Sequence, residues 1–296
     1  MPRAEKSFKK IIWSYYKKHR RSFPWREKIT PYRVVVSEIM LQQTQAPRVV
    51  PRFDSFMKKF PDFRALARAP LRVVLKEWQG LGYNRRAVYL KKLADIITDK
   101  TGIVSDKKST TKKYYGELPQ TAAELIALPG IGPNTAGSIL AFAFNIPQPF
   151  IETNIRTVFI HFFFKKSQKV ADKEILKLVR DTMDEKNPRE WFFALMDYGV
   201  MLKQTARIAR QQDPSRKSKH YVKQSPFKGS NRELRAALVR SILEKSVKKP
   251  QTFDEIVSTH LSKNNPHCTR ANILKNLRAL EREGFVYIKN GNVIIA

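Results

Sequence analysis

Leu128-Pro-Gly-Ile-Gly-Pro-Asn-Thr-Ala136 is the stretch that decides the fold of this chain. Its two glycines, Gly130 and Gly132, favour a tight turn that leaves backbone N–H groups free. Thr121 can cap a short helix before the turn, and Pro133 suits the first turn of a helix after it. The second helix would then direct free amides at an anion, and a phosphate is the natural ligand. An ordinary turn between two core helices is the alternative.

The charge of the chain favours a polyanionic partner. Its 296 residues include 57 Lys and Arg against 26 Asp and Glu, a formal net charge of +31. Binding to a polyanion would release counterions and depend strongly on salt. The sequence has no run of about 18 apolar residues and no apolar signal segment, so we expect a soluble intracellular protein that makes no use of a membrane.

Cysteine content restricts the possible metal chemistry. The chain has one cysteine, Cys268, which excludes an intramolecular disulfide and every multi-cysteine metal site. We therefore expect no metal. A hydrophobic content of 42% over this length predicts a sizeable core in two or three domains.

Helical periodicity with Pro and Gly boundaries dominates the first two hundred residues, which predicts an all-α fold. A polar, Lys- and Thr-rich loop is predicted at 100–115. The predicted helices are 8–19, 31–50, 54–60, 70–79, 85–99, 122–128, 134–144, 155–164, 172–183 and 189–203.

The composition changes after residue 202. Residues 203–229 hold eight Lys or Arg and one Asp, which predicts a basic linker or arm. The pattern of residues 230–296 predicts three helices (231–244, 252–261 and 269–283) and a hairpin with an Asn-Gly turn, the order of a winged helix-turn-helix. The third helix carries polar and basic side chains that could face a DNA groove or phosphates: Arg270, Asn272, Lys275, Asn276 and Arg278. Contact with a protein partner is the alternative.

Glu38 is the first candidate for chemistry, because it is a lone carboxylate in the apolar run from Val34 to Leu41. If that face packs inward, desolvation raises its pKa and the group can act as a general acid. A place on the polar face of the helix is the alternative. Gln42, Gln43 and Thr44 follow and could bond to bases, or lie on the helix surface.

Glu152 is the second candidate carboxylate, at the end of a short apolar segment before a predicted helix. Alone, it is interpreted as an acid favoured by a helix N-terminus. Paired with Glu38, it suggests cleavage of an N-glycosidic bond, where one acid protonates the leaving base and one carboxylate stabilises a cationic sugar.

Six motifs in one order closely resemble those of MutY-type adenine DNA glycosylases, within the helix-hairpin-helix superfamily that also includes endonuclease III. The resemblance covers about residues 5–202 and implies a two-lobed, all-α fold with a DNA cleft between the lobes. The motifs are Phe23-Pro-Trp-Arg26, Pro31-Tyr32, Ser37-Glu-Ile-Met-Leu-Gln-Gln-Thr44, Trp78-Gln-Gly-Leu-Gly-Tyr83, Leu128-Pro-Gly-Ile-Gly132 and Ala194-Leu-Met-Asp-Tyr-Gly199.

The resemblance also implies roles for individual residues. Glu38 would protonate the departing base, while Glu152 and Asn154 would occupy the places of the family's catalytic Asp and Asn. Gln43 and Asn84 would enter the base stack. The residues expected to contact DNA are Gln42, Gln43, Thr44, Tyr83, Asn84, Leu128, Gly130, Gly132, Asn134 and Thr135. The third predicted helix of the tail, outside the resemblance, adds Arg270 and Lys275.

Four departures from the family pattern qualify the resemblance. Glu152 is one methylene longer than Asp. Asn134 stands where endonuclease III has its lyase lysine, so we expect a monofunctional enzyme. The four-cysteine iron–sulfur loop, which should start near Lys203, is absent, so the resemblance is to a clusterless branch. The tail does not resemble the domain that reads 8-oxoguanine in MutY.

We therefore expect a base-excision-repair glycosylase that acts on double-stranded DNA as a monomer, in the cytoplasm and nucleoid or in a nucleus. Adenine opposite guanine or 8-oxoguanine is the first expected substrate. The alternatives are a uracil or thymine mismatch glycosylase, a non-catalytic DNA-binding protein, and a lyase that uses another lysine.

Overall fold

The computed structural model describes residues 3–99, 114–167, 169–245, 250–261 and 266–296. Most of the predicted polar loop 100–115 lies outside these ranges. Over the described part of the chain, no helix is both long and apolar enough to cross a membrane.

The chain forms two compact units, Met1–Glu38 with Pro119–Lys223, and Ile39–Leu118 with Gln224–Ala296. This grouping places the C-terminal residues with the middle of the chain. The predicted domains 1–202, 203–229 and 230–296 stay a prediction beside this grouping.

The first unit is helical. Phe8 of the first helix is fully buried, and its ring contacts those of Phe159 and Trp191 at centroid distances of 5.3 and 5.9 Å. Alternation of such rings with charged residues makes these helices amphipathic and draws their apolar faces into one core. The helices are α1 (Arg3–His19), α2 (Pro24–Glu27), α3 (Pro31–Leu41, its last residues in the second unit), α8 (Ala122–Ile126), α9 (Pro133–Phe144), α10 (Thr153–Phe163), α11 (Asp172–Thr182) and α12 (Pro188–Ile208).

The second unit combines a helical part with a small mixed domain. Its helical core holds Phe53, Phe56 and Trp78, all fully buried. The elements are α4 (Ala46–Lys59), α5 (Phe63–Arg68), α6 (Leu71–Glu77), α7 (Arg85–Thr98), α13 (Asn231–Lys245), β1 (Gln251–Thr252), α14 (Phe253–His260), α15 (Arg270–Arg282), β2 (Val286–Lys289) and β3 (Asn292–Ile295).

The C-terminal elements follow the predicted order of three helices and a hairpin. The hairpin turns through Asn290 and Gly291, both with positive φ, as a two-residue loop of this type requires. The structure adds one element, the short strand β1, which pairs antiparallel with β3 in a sheet of order β1-β3-β2.

Glu283 ties this domain to the helical part of the second unit. Its carboxylate accepts from Arg85 at 2.6 Å and from Arg235 at 2.7 Å. Arg72 also donates to the carbonyl of Leu243 at 3.3 Å. The C-terminal domain is therefore packed against the helical part of the second unit.

The single helix predicted over 31–50 is wrong. Helix α3 ends at Leu41 and α4 begins at Ala46, with Pro47 in its first turn. Gln43, between them, has a φ of 56°, a left-handed value that no continuous helix permits. The apolar pattern runs through this break because both helices bury a face.

The first part of the predicted basic linker, after residue 202, has secondary structure and packs within the first unit. Helix α12 continues to Ile208, and a 3-10 helix spans Pro214–Lys217. Val170 N–H donates to Lys217 C=O at 2.8 Å, and Lys219 N–H donates to Val170 C=O at 2.9 Å. The first part of the basic segment is thus built into the first unit.

Candidate active site

Glu38 lies where its sequence context predicted, on a helix face turned toward the core. Its neighbours Val35, Val36 and Ile39 are fully buried, while Glu38 keeps partial access to solvent. Ser138 Oγ donates to Glu38 Oε2 at 2.5 Å. An acid so placed is shielded from bulk water but can still be reached by a substrate.

Burial raises the pKa of Glu38 to about 7. The hydrogen bond from Ser138 stabilises the ionised form and lowers this pKa, as does the Arg26 charge, whereas the charge of Glu152 raises it. Near neutral pH, Glu38 therefore exists in both protonation states, as a general acid requires.

Glu152 sits immediately before α10, as the N-cap residue, and its side chain makes no capping bond there. Asn154 Nδ2 donates to Glu152 Oε1 at 3.2 Å. Lys203 Nζ in turn donates to Asn154 Oδ1 at 2.9 Å. The helix N-terminus favours the negative charge of Glu152. The structure therefore brings together Glu38, Glu152 and Asn154 in one unit.

Two glycines let the backbone around Glu152 come close to its neighbours. A Cβ at Gly137 of α9 would lie 2.7 Å from Phe150 Cβ, and one at Gly199 of α12 would lie 2.4 Å from the carbonyl oxygen of Asn154. Asn134 Oδ1 accepts from Ile151 N–H at 3.2 Å. The segment that carries the second carboxylate is thus fixed from both sides.

A buried ion pair explains two of the sequence motifs. Arg26 donates to both oxygens of Asp197, at 2.9 and 3.1 Å, and both side chains are almost fully buried. Arg21 adds a bond of 2.7 Å to the same carboxylate. Arg26 also stacks 4.2 Å from the centre of the Phe193 ring. Sequence reasoning missed the pair, because its members lie far apart in the chain.

The helix-turn-helix around Gly130 forms as predicted. Thr121 accepts a capping bond from Glu124 N–H, Gly130 takes a φ of 81°, and Pro133 stands in the first turn of α9. The 12-residue helix α9 presents its first amides beside the exposed Asn134. Leu128 is 4% exposed, so its side chain packs into the core of this helix-turn-helix.

Of the three residues after α3, two reach the solvent and one does not. Gln42 is half-buried and Gln43 is exposed. Thr44 is 7% exposed, and its hydroxyl donates to Leu81 C=O at 3.2 Å and accepts from Arg86 at 3.0 Å. In this structure the Thr44 side chain therefore joins the loop to Leu81 and Arg86 instead of facing outward.

The loop before α7 presents Tyr83 and Asn84. Tyr83 has a φ of 47° and is 38% exposed, and Asn84 stands at the start of the helix. The Tyr83 hydroxyl accepts hydrogen bonds from Gln224 and Arg232. The C-terminal part of the unit thus holds a residue of this loop.

Arg86 connects the two loops and was not singled out from the sequence. It donates to the carbonyls of Ile39, Met40 and Gln42 at 2.8, 2.7 and 2.6 Å, and to Gly82 at 2.9 Å. Burial lowers its pKa to about 10, which leaves it charged at neutral pH. A cation is favoured at the carbonyl end of a helix, but Arg86 lies in the first turn of α7, so the sequence alone does not link it to the end of α3.

Helix α15 exposes a basic face that differs from the predicted one. Arg270 pairs with Asp254 at 2.8 Å, and both are exposed. Asn276 is 4% exposed and bonds to Asn231 at 2.8 Å, so it faces inward. The exposed face consists of Ala271, Lys275, Arg278 and Arg282, with Leu274 partly exposed beside them.

The sequence does not supply the thiolates of an iron–sulfur cluster. Within the described residues, no group of three or more His, Cys, Asp or Glu side chains could hold a metal ion. Four thiolates are needed for a cluster, and the whole sequence has Cys268 alone.

Part of the chain matches a model of a known protein family. Residues 36–181 match the model of the HhH-GPD superfamily base excision DNA repair protein. These residues, just under half of the chain, are therefore similar to the HhH-GPD superfamily. The matched residues include Glu38, the helix-turn-helix around Gly130, Glu152 and Asn154.

Curated relatives of the chain carry the name of a DNA glycosylase. Over 66% of its length, the chain is 36% identical to "Adenine DNA glycosylase" of Buchnera aphidicola subsp. Baizongia pistaciae, covering 52% of that protein. It is 34% identical to the Mycobacterium tuberculosis protein of that name, over 50% of this chain and 44% of the relative. The chain thus spans about half the length of the curated relatives it matches.

Two solved structures share the fold. A thermostable thymine-DNA glycosylase aligns with a TM-score of 0.56 and 23% identity, over 68% of this chain and 88% of its own. A trapped endonuclease III–DNA covalent intermediate aligns with a TM-score of 0.53 and 18% identity, over 67% and 86%. At these identities the likeness concerns the fold.

Proposed function

We propose that this protein is a DNA N-glycosylase of base excision repair, which flips one base out of double-stranded DNA and hydrolyses its N-glycosidic bond. The single observation that carries the proposal is the half-buried Glu38, with its pKa raised to about 7, in electrostatic contact with Glu152. Adenine opposite guanine or 8-oxoguanine is the proposed substrate, in line with the name of the curated relatives.

The two carboxylates divide the reaction between them. Protonated Glu38 gives its proton to the departing base, which leaves with the electron pair of the C1′–N bond. Ionised Glu152 stabilises the positive charge that develops on the sugar. Water then adds its hydroxyl to C1′ and releases a proton, which restores the acid.

The reaction stops at an abasic site in this account. An amide such as Asn134 cannot form a Schiff base with the sugar, and its oxygen already accepts from Ile151 N–H. We propose a monofunctional enzyme that works as a monomer without an iron–sulfur cluster, wherever the genomic DNA is held, in a nucleoid or a nucleus.

DNA contacts in the proposal come from three places. The first amides of α9, around Gly132 and Thr135, bind a phosphate. Gln42, Gln43, Tyr83 and Asn84 meet the bases near the lesion. On α15, Lys275, Arg278 and Arg282 bind phosphates, beside Arg270, whose pair with the exposed Asp254 is weak enough to give way. A protein partner for this helix is the alternative, and salt-dependent DNA binding distinguishes the two.

A panel of labelled duplexes tests the proposal. Under single-turnover conditions, the protein would be given A:8-oxoguanine, A:G, T:G, U:G and hypoxanthine pairs, each processed with and without hot alkali. We expect strand breaks only after alkali and fastest for A:8-oxoguanine or A:G. Cleavage of T:G or U:G alone would overturn the substrate, breaks without alkali would overturn the monofunctional assignment, and no cleavage at all would overturn the activity.

A further inference from the structure

Lys203, Asn154 and Glu152 form a chain of hydrogen bonds that the proposed mechanism leaves unexplained. Lys203 Nζ donates to Asn154 Oδ1 at 2.9 Å, and Asn154 Nδ2 donates to Glu152 Oε1 at 3.2 Å. Burial lowers the pKa of Lys203, Glu152 and Asp213 act in the opposite direction, and Arg156 lowers it further. Lysine is seldom buried unless it is paired, so a shielded amine at this place needs a reason.

The chemistry of the three groups makes the chain directional. An ammonium has three donors and no acceptor, whereas the Asn amide has an acceptor end and a donor end. Lys203 can therefore face only the oxygen of Asn154, which turns the amide N–H toward Glu152. With Lys203 removed, the amide oxygen loses its donor, and the orientation of the amide depends on its bond to Glu152 alone.

The backbone makes this contact a fixed one. Lys203 lies one turn after Gly199 on α12, the long helix of the first unit. At Gly199 the helix comes so close to the start of α10 that a Cβ would lie 2.4 Å from the Asn154 carbonyl oxygen. The lysine thus reaches Asn154 from a helix that packs directly against the backbone of that residue.

We propose that Lys203 is a positioning residue that orients the Asn154 amide and, through it, the Glu152 carboxylate. This inference rests on the proposed function, in which Glu152 stabilises the sugar cation. Lys203 acts through Asn154 and has no direct contact with the substrate. Because Glu152 would be misplaced at the moment the bond breaks, loss of Lys203 should slow base release and leave duplex binding unchanged.

Single-turnover base release and duplex binding by Lys203→Met provide the first test. We expect release to slow by about tenfold to 100-fold, the range that small misplacements of catalytic groups produce. Lys203→Arg should recover most of the rate, because a guanidinium also only donates. Arg207→Met is the matched control, since this exposed residue lies one turn further on α12 and its loss removes the same charge. Equal rates for Lys203→Met and Arg207→Met would overturn the proposal.

A second readout does not depend on activity. In ¹⁵N-labelled full-length protein, the side-chain amide signal of Asn154, assigned with Asn154→Asp, should move in Lys203→Met and stay in place in Arg207→Met. An unmoved signal in Lys203→Met would contradict the hydrogen-bond chain. If the wild-type protein releases no base from any duplex, the proposed function fails, whereas this signal still tests the chain itself.

Discussion

At the scale of single residues, the protonation state of Glu38 is set by opposing neighbours. Burial and the charge of Glu152 raise its pKa, while Ser138 and Arg26 lower it. Sequence reasoning predicted the burial from a lone acid in an apolar run. It could not predict Ser138, because a hydroxyl in a second helix becomes a partner only once the two helices pack.

The hydrogen bond from Ser138 gives a prediction with a defined sign. Because this bond favours ionised Glu38, Ser138→Ala should raise the pKa of Glu38 above its value of about 7. The acid then stays protonated to higher pH, so the alkaline fall of the base-release rate should move to higher pH. Single-turnover rates measured from about two pH units below that value to about two above it would show the shift.

The control for this prediction is Ser138→Thr, which keeps a hydroxyl on the same carbon of the side chain. Its pH profile should resemble that of the wild type more closely than that of Ser138→Ala. A profile of Ser138→Ala that moves to lower pH would contradict the assigned role of the hydroxyl.

At the scale of elements, the site depends on close approach between helices. Gly137 and Gly199 make room for Phe150 and for the backbone of Asn154. From the sequence, a glycine in the middle of a helical pattern gives only a weak signal, since it is read as a cost in helix propensity. The reason for it is a contact with a segment distant in the chain.

Alanine at either glycine should therefore damage the protein. The added Cβ would meet Phe150 Cβ at 2.7 Å or the Asn154 oxygen at 2.4 Å, so the segment around Glu152 must shift. We expect a decrease of about 1–3 kcal/mol in the free energy of unfolding, measured by urea denaturation, and slower base release.

Gly132→Ala is the comparison for this pair. A Cβ at Gly132 would meet nothing within 4 Å, and its φ of −97° suits any residue. Its stability should be close to that of the wild type. Stabilities of Gly137→Ala and Gly199→Ala that match Gly132→Ala would show that the close approach carries no weight.

The break between α3 and α4 shows where sequence periodicity fails. An apolar pattern predicted one helix over 31–50, but α3 ends at Leu41, where Arg86 binds the carbonyls of Ile39, Met40 and Gln42. Arg86 lies far from these residues in the chain, so periodicity does not indicate the contact. The bonds that bury Thr44 likewise form only in the folded unit.

At the scale of the whole molecule, each of the two compact units combines two separate stretches of the chain. Residues 224–296 belong to one unit with residues 39–118, through contacts such as Arg85–Glu283. The order of helices and hairpin in the tail was predictable from turn signals and periodicity. Which part of the chain the tail packs against was not, since such packing leaves no periodic trace.

The basic face of α15 should add phosphate contacts to DNA binding. Replacing Lys275, Arg278 and Arg282 with Gln should weaken affinity and reduce the slope of log K against log salt, by about 0.9 for each phosphate that the variant no longer neutralises. The measurement is a set of fluorescence-anisotropy titrations of one duplex at several salt concentrations.

A triple variant on α11, with Lys173, Lys177 and Arg180 changed to Gln, is the control. It removes the same charge from exposed positions of similar helical spacing. Equal slopes for the two triple variants would mean that α15 contributes only to the general charge of the protein, and would favour a protein partner for this face.

The central claim, that Glu38 is the acid that releases the base, is tested most directly by Glu38→Gln. Glutamine keeps the shape of the side chain but has no acidic proton to give. We predict that the variant binds an A:8-oxoguanine or A:G duplex as tightly as the wild type and releases no adenine in a single-turnover assay followed by hot alkali. Release by the variant at the wild-type rate would contradict the account.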